Sequence, residues 1–160
     1  VDCLNPELVV LCENLDFLKT PNIARRHNIE LWYVGGNNTA NIHQIDLEKL
    51  NKPLYYSCDW DYDGLKIFCR VKDILKSKSK DITILFPSNL QDRLPVDSPQ
   101  DKSRWDHSID FSGLNRAYFR ENEIDLITQL IEKDQWIEEE TNDLIQMVRN
   151  NITPSINHGL

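Results

Sequence analysis

Four short and almost uninterrupted apolar runs constrain the fold of this chain more than any other feature. The runs occupy residues 8–12, 31–34, 54–58 and 82–86. Apolar runs of this length are typical of strands that are buried on both faces of a parallel sheet. Amphipathic segments separate the runs, and such alternation favours helical connections between strands. The sequence therefore predicts an α/β fold with a four-stranded, mainly parallel sheet and helices on both faces.

The remaining segments are predicted to be helices and one long loop. Residues 88–112 contain two prolines and few apolar side chains, so they are expected to form a loop with at most a helical turn near Trp105. Two helices are predicted to end the fold, at residues 121–133 and 135–149. Between the strands, helices are predicted at residues 15–27 and 41–50 and directly after Gly64.

The length of the chain fits one domain. A chain of 160 residues can bury one full hydrophobic core but not two comfortable ones. Residues 1–150 are predicted to form this domain, and residues 151–160 a flexible tail. The sequence begins at Val1 and not at Met, so we expect it to be a piece of a longer protein.

Charge and composition narrow the functional classes. The formal net charge is −8, whereas a protein that binds nucleic acid by itself usually has an excess of basic residues. Nucleic-acid binding would then need a bound metal and a further basic domain or subunit. No apolar stretch approaches the roughly 18 residues that a membrane helix requires, so no membrane partner is expected. The four cysteines form no CxxC pair, and they predict free thiols in a cytoplasmic protein.

Acidic side chains follow two of the predicted strands. Residues 8–12 are followed by Glu13, and residues 54–58 by Asp59, with Asp61 two positions further along. Ligands collect at the carboxyl ends of parallel strands in an open α/β sheet. If these strands are neighbours, the three carboxylates lie together at that edge of the sheet.

Crowded carboxylates favour a divalent cation. They raise one another's pKa values unless a cation neutralises them, and hard oxygen ligands prefer Mg²⁺ or Mn²⁺. The sequence thus predicts a metal site at Glu13, Asp59 and Asp61. A metal in such a site can bind a phosphate oxygen, activate a water molecule and stabilise a leaving oxygen.

The acidic loop resembles the Toprim signature of topoisomerases, primases and several nuclease families. The loop has the form Asp-x-Asp-x-x-Gly, from Asp59 to Gly64, and an upstream strand ends in Glu13. The resemblance covers roughly the first 90 residues. It implies that Asp59 and Asp61 hold the metal, while Glu13 acts as a general acid/base or a further ligand.

A longer pattern is similar to the C-terminal Toprim domain in the nuclease subunit of Wadjet-type anti-plasmid systems, a relative of the topoisomerase VI cleavage subunit. The pattern comprises Glu13-Asn14, Val34-Gly35-Gly36 and residues 55–67 and 136–140. That family has an acidic pair with one intervening residue near its end, which implies Glu138 and Glu140 as further metal ligands. The arginine-rich lead into this pair is replaced here by residues 133–136. The resemblance also implies DNA as substrate, a role in plasmid defence and an SMC-like partner complex.

Three other interpretations of the acidic loop stay open. An EF-hand calcium loop would share its first six positions but would need Glu at its twelfth, which is Arg70, and would follow a helix. A haloacid-dehalogenase phosphatase would use the same Asp-x-Asp, but ordinarily after the first strand. The loop could also merely cap the next helix. Residues 138–140, in turn, resemble a solvated helix face.

The sequence therefore predicts a Mg²⁺- or Mn²⁺-dependent nuclease domain that cleaves DNA phosphodiesters. No tyrosine is placed as a nucleophile, so water is expected to attack. The alternative is a non-catalytic, Toprim-shaped module that docks partner subunits of a DNA-processing complex. The acidic charge of the chain suits this second function.

Overall fold

The computed structural model of the chain describes residues 6–35, 42–43, 51–96 and 103–157, with side chains as far as residue 151. Its strands are β1 (Leu8–Cys12), β2 (Ile29–Tyr33), β3 (Leu54–Ser57), β4 (Thr83–Ile84), β5 (Arg93–Pro95) and β6 (Gln135–Ile137). Its α-helices are α1 (Pro21–Arg26), α2 (Tyr62–Ser77), α3 (Glu121–Glu132) and α4 (Leu144–Asn157). Short 3-10 helices lie at Asp16–Lys19, Asp110–Gly113, Arg116–Tyr118 and Glu139–Thr141.

The main sheet has four parallel strands in the order β2-β1-β3-β4. All five residues of β1 are buried, because this central strand is covered on both faces. The α/β class and the four-stranded sheet predicted from the apolar runs are thus confirmed. The fourth strand is shorter than its apolar run, since only Thr83–Ile84 pairs with β3.

Side chains alternate along β1, and each face of the sheet has its own core. One face is packed by α2 and α3, with Val9, Leu11, Tyr56, Phe68 and Leu126 in its core. The opposite face is packed by α1 and α4, with Leu8, Val10, Ala24, Leu144 and Met147 in its core. Helices therefore cover both faces, as the sequence predicts.

The segment after β4 differs from the prediction in two places. Residues 93–95 form β5, which pairs antiparallel with β6, although a loop was expected there. The helix predicted at residues 135–149 begins only at Leu144, because β6 and the 3-10 helix Glu139–Thr141 take up its first part. Asp134 has a φ of 49°, a left-handed conformation that ends α3 and turns the chain into β6.

Several predictions fall outside the described residues. Of the helix predicted at residues 41–50, only Ile42 and His43 are described, and they are helical. Cys3 is not described, whereas Cys12, Cys58 and Cys69 are free thiols. Among the described residues, no helix is long and apolar enough to cross a membrane.

Candidate acidic site at the sheet edge

The candidate site lies where the strand order of the main sheet reverses direction. From β1 the chain passes through α1 to β2 on one side, and from β3 it passes through α2 to β4 on the other side. In open α/β sheets, such a switch point leaves a crevice beyond the carboxyl ends of the two central strands. Glu13 directly follows β1 and Asp59 closely follows β3, so these two carboxylates flank the crevice.

Backbone pairing fixes the two strand ends beside each other. The strands β1 and β3 pair in parallel, with Cys12 opposite Ser57. One residue further, the backbone N–H of Glu13 donates to the carbonyl of Ser57 at 3.0 Å. The predicted neighbourhood of the two acidic strand ends is therefore confirmed.

A third segment enters the site from the C-terminal part of the chain. The backbone of Trp60 pairs with that of Ile137, through N–H to carbonyl hydrogen bonds of 2.8 Å and 3.3 Å. The Asp59 carboxylate accepts the backbone N–H of Glu139 at 2.7 Å. These contacts hold the residues after β6 against the acidic loop.

Glu139 is the acidic residue of the site that sequence reasoning missed. Its side chain is 0% exposed, and one carboxyl oxygen accepts the backbone N–H of Asn14 at 3.0 Å. The Ser57 side chain also hydrogen-bonds to this carboxyl group. Glu139 thereby bridges the ends of β1 and β3. One sequence signal could have identified it. Side chains alternate between the two sides of an extended segment, so Glu139 lies on the same side as Ile137, which is buried.

Two buried carboxyl oxygens of the site have no hydrogen-bond partner among the described residues. They are Oε2 of Glu13 and Oε2 of Glu139. A buried and unsatisfied carboxylate oxygen is costly, and its charge is costlier still. The site is therefore unstable in its fully ionised form unless a cation or a proton neutralises it.

The pKa values show the same electrostatic conflict. Burial, followed by the charges of Asp59 and Asp61, raises the pKa of Glu13 to about 8. Burial, with added repulsion from Asp59 and Glu13, raises the pKa of Glu139 to about 9, although the Ser57 hydrogen bond opposes this shift. Burial also raises the pKa of Asp59, against the opposing hydrogen bond from Glu139. The charges that raise these pKa values all belong to carboxylates.

Asp61 is the N-cap of α2. Its side chain accepts the backbone N–H of Gly64 at 2.7 Å, and only 8% of the residue is exposed. Burial raises its pKa to about 7, while the Gly64 hydrogen bond lowers it. The helix-cap interpretation of the acidic loop therefore accounts for Asp61, but it does not account for Glu13, Asp59 or Glu139.

The other two predicted ligands flank the buried group. Glu138 is partly buried, whereas Glu140 is exposed and accepts the side-chain N–H of Asn14 at 2.6 Å. The charges of both residues raise the pKa of Asp59, so they lie within electrostatic reach of the site. Residues 138–140 do not form the predicted solvated helix face, because they follow β6 and Glu139 points inward. The role of Glu138 and Glu140 as metal ligands stays a prediction.

The donor chemistry of the site fits a hard divalent cation. Its oxygens come from carboxyl groups of Glu13, Asp59 and Glu139, and two of these oxygens have no hydrogen-bond partner among the described residues. In the side-chain conformations of the described residues, no three His, Cys, Asp or Glu groups are close enough together to hold a metal ion. Metal binding would thus require the carboxylates to move toward one another.

Gly64 is a steric requirement of the acidic loop. A Cβ atom at this position would lie 2.2 Å from the carbonyl oxygen of Asp59 and 3.0 Å from a carboxyl oxygen of Asp61. No side chain can be added without moving the backbone that carries both aspartates. This requirement explains the glycine that ends the Asp-x-Asp-x-x-Gly motif.

The change Gly64→Ala is therefore expected to destabilise the protein. Alanine in place of glycine normally stabilises a helix by about 0.5–1 kcal/mol, but here the overpacking should cost about 1–3 kcal/mol. Urea unfolding of the two proteins measures the difference. A stabilised Gly64→Ala variant would contradict the close approach of the Asp59 carbonyl.

Comparisons with known protein families, with curated proteins and with solved structures find no match to this chain.

Proposed function

We propose that this chain is a metal-dependent nuclease domain of the Toprim type, which cleaves DNA phosphodiesters at Glu13, Asp59 and Glu139. The observation that carries the proposal is the buried carboxyl group of Glu139, which joins the two acidic strand ends at the switch point of the sheet. Buried carboxylates with strongly raised pKa values are typical of functional sites in clefts. The parallel four-stranded sheet is compatible with a Toprim-like fold.

A divalent cation would relieve the electrostatic conflict of the site. Mg²⁺ or Mn²⁺ would be held by Glu13, Asp59 and Glu139, with Asp61, Glu138 and Glu140 as further candidate ligands. When bound, such an ion polarises a phosphate oxygen and lowers the pKa of a water molecule. A phosphodiester suits this site once the cation is bound. Its negative charge is then attracted to the cation, whereas the carboxylates alone would repel it.

The residues themselves supply proton transfer and positioning. Without a cation, burial and the neighbouring carboxylates raise the pKa of Glu13 to about 8. Glu13 can therefore serve in one of two ways: as a deprotonated ligand of the cation, or, where Asp59 and Glu139 hold the cation, as the group that passes a proton to the leaving oxygen. Asp59 is positioned by the N–H of Glu139, and Asp61 holds the start of α2 in place. Asp61 thus acts through the geometry of the loop as well as through its charge.

Nicking of supercoiled plasmid in the presence of Mg²⁺ or Mn²⁺ tests the proposal. The wild type should convert the plasmid to open-circle or linear DNA, and EDTA should stop the reaction. The changes Asp59→Asn and Glu139→Gln should each lower the rate about 100-fold or more, because the metal contributes several kcal/mol of transition-state stabilisation. Glu132→Gln is a matched control, since this exposed side chain on α3 lies outside the site.

Three outcomes would contradict the proposal. Equal rates for the wild type and both site variants would assign the cleavage to a contaminating enzyme or to another site. A wild type that neither cleaves DNA nor binds Mn²⁺ in a calorimetric titration would exclude a metal-dependent enzyme. Mn²⁺ binding without cleavage, lost in Asp59→Asn, would favour the docking module instead.

A further inference from the structure

We infer that the basic face of α2 binds the phosphodiester backbone of the nucleic acid that reaches the acidic site. The inference rests on the proposed function and deepens it, because it identifies where an acidic protein could hold a polyanion. The surface, called the basic face below, consists of Lys66, Arg70, Lys72 and Lys76 on α2 and of Lys80 just after the helix, and Tyr118 lies beside it.

The basic face concentrates positive charge in an otherwise acidic chain. Residues 66–80 contain six of the 18 lysine and arginine residues of the chain and one of its 26 acidic residues. A solvated helix face usually mixes both signs of charge. Here four of the six cations lie on α2 and two directly after it, which gives this segment a local potential opposite to the net charge of −8.

The basic face borders two adjacent clefts. A cleft of about 310 Å³ lies between Lys66, Arg70 and Asp73 on one side and residues 113–115 on the other. A second cleft of about 500 Å³ is lined by Lys72, Lys76 and Lys80, with Asp81 as its acidic residue. Tyr118 lines both clefts, and its hydroxyl group donates to Asp73 on α2. The two clefts therefore adjoin along the helix.

Most cations of the basic face have no acidic partner. Lys72 is fixed, since its ammonium group contacts Asp81 at 3.1 Å and donates to the carbonyl of Ile82 at 2.8 Å. Among the described residues, Arg70, Lys76 and Lys80 form no ion pair, and Lys66 contacts only the ring of Tyr62, at 4.6 Å. These four groups can each neutralise a phosphate.

The cations of α2 extend along the helix and about 160° around its axis, with Lys66 and Arg70 on one side and Lys72 and Lys76 on the other. Lys66 and Lys76 are ten residues apart on α2, or about 15 Å at a rise of 1.5 Å per residue. One strand of DNA places a phosphate about every 3.4 Å along its axis, so this distance spans roughly four phosphates. The N-cap of α2 is Asp61, in the same loop as Asp59, so a strand that follows the basic face toward the start of the helix leads to the acidic site.

A nucleic acid fits the basic face better than a membrane does. The large apolar side chains that are exposed in the described residues are Leu15, Ile23, Tyr33, Leu94 and Ile109. None of them lies in residues 66–80, whereas a membrane-binding helix would present apolar side chains beside its lysines. The flexible ammonium groups and the single guanidinium group are suited to contact phosphate without reading bases.

Fluorescence anisotropy with a labelled 20-base-pair duplex and a labelled single strand tests the inference without any cleavage. The measurements use the full chain in EDTA at 50–200 mM salt, for the wild type and for the double variant Lys76→Glu/Lys80→Glu. With four phosphate contacts, the wild-type affinity should fall about 100-fold over this salt range. The double variant should bind about tenfold more weakly at 50 mM salt, with a salt slope smaller by about 2. A preference for the duplex or the single strand identifies the form of nucleic acid.

The double variant Arg26→Glu/Lys133→Glu is the matched control. It produces the same net charge from two exposed residues outside the basic face, and it should bind like the wild type. Asp59→Asn should also retain binding, so a failure of the nuclease proposal would not affect this result. Equal losses in both double variants, or no DNA binding by the wild type, would overturn the inference. Competition by polyglutamate as effective as that by DNA would instead assign the basic face to an acidic protein partner.

Discussion

Without a divalent cation, the protein is expected to lose stability steadily as the pH rises from 5 to 8. The pKa of Glu13 is raised to about 8 and that of Glu139 to about 9, mainly by burial. An unfolded glutamate has a pKa of about 4.3, so the folded state binds more protons across this range. Stability falls with pH wherever the folded state binds more protons. The contribution of each group is therefore complete below about pH 4 and is lost as the pH approaches 8 or 9.

The expected loss is large because two coupled groups contribute. One unit of pH costs at most about 1.4 kcal/mol for each group. Over three pH units, one such group would lose about 4 kcal/mol and two independent groups about 8 kcal/mol, and because the two carboxyl groups also repel each other we expect a total between these limits from pH 5 to pH 8. Urea unfolding in EDTA at pH 5, 6.5 and 8 measures this loss.

The variant Glu139→Gln isolates the contribution of one group. It should be more stable than the wild type at pH 8 and about equally stable at pH 5, because a neutral amide replaces a costly carboxylate. Glu132→Gln, at an exposed position of α3, should leave the pH dependence unchanged. Mg²⁺ or Mn²⁺ should restore wild-type stability at pH 8, by about 2.7 kcal/mol at a concentration 100-fold above its Kd. A wild-type protein whose stability rises from pH 5 to pH 8 in EDTA would contradict the buried acidic site.

The second large effect is expected for Trp60→Ala. Trp60 is 1% exposed, and its ring packs against Phe86 with the ring centres 5.9 Å apart. Loss of this side chain should cost about 3–5 kcal/mol through lost burial and the cavity that remains. Because its backbone pairs with Ile137, the cavity also loosens the contact that carries Glu139 into the site. Urea unfolding at pH 5 and metal titration measure the two consequences.

Trp136→Ala is the matched control for this change. Trp136 lies in β6 and is only partly buried, so its loss should cost less than that of Trp60. Equal losses of stability in Trp60→Ala and Trp136→Ala would show that Trp60 is packed no more tightly than Trp136. Trp60→Phe should recover much of the stability, since an aromatic ring still fills part of the space.

The main sheet was predictable because its signals are local. Each buried strand is a compact apolar run, and Glu13 and Asp59 directly follow two of these runs. The neighbourhood of β1 and β3 was assumed from the usual behaviour of α/β sheets, and it is confirmed by the pairing of Cys12 with Ser57. Gly64 was recognised as the end of the Asp-x-Asp-x-x-Gly pattern, and the structure adds the physical reason for a glycine there, which is the close approach of the Asp59 carbonyl.

The region after β4 was harder to predict because its structure depends on distant contacts. Arg93–Pro95 is a strand only through its pairing with Gln135–Ile137, some 40 residues later in the chain. A three-residue strand has no periodicity to detect. Glu139 was missed for the same reason. Three consecutive glutamates resemble a solvated surface, and only the distant pairing of Trp60 with Ile137 brings the middle glutamate into the interior.

The bridge between Asn14 and Glu139 has a consequence for the order of events during synthesis. The two residues are 125 positions apart in the chain. At 5–20 residues per second, a ribosome needs about 6–25 s to proceed from one to the other. During the last 80 residues of that interval, from Asp59 to Glu139, the nascent chain already carries the acidic ends of β1 and β3 but lacks the carboxyl group that joins them. The acidic site therefore takes its final form only after Glu139 has been synthesised.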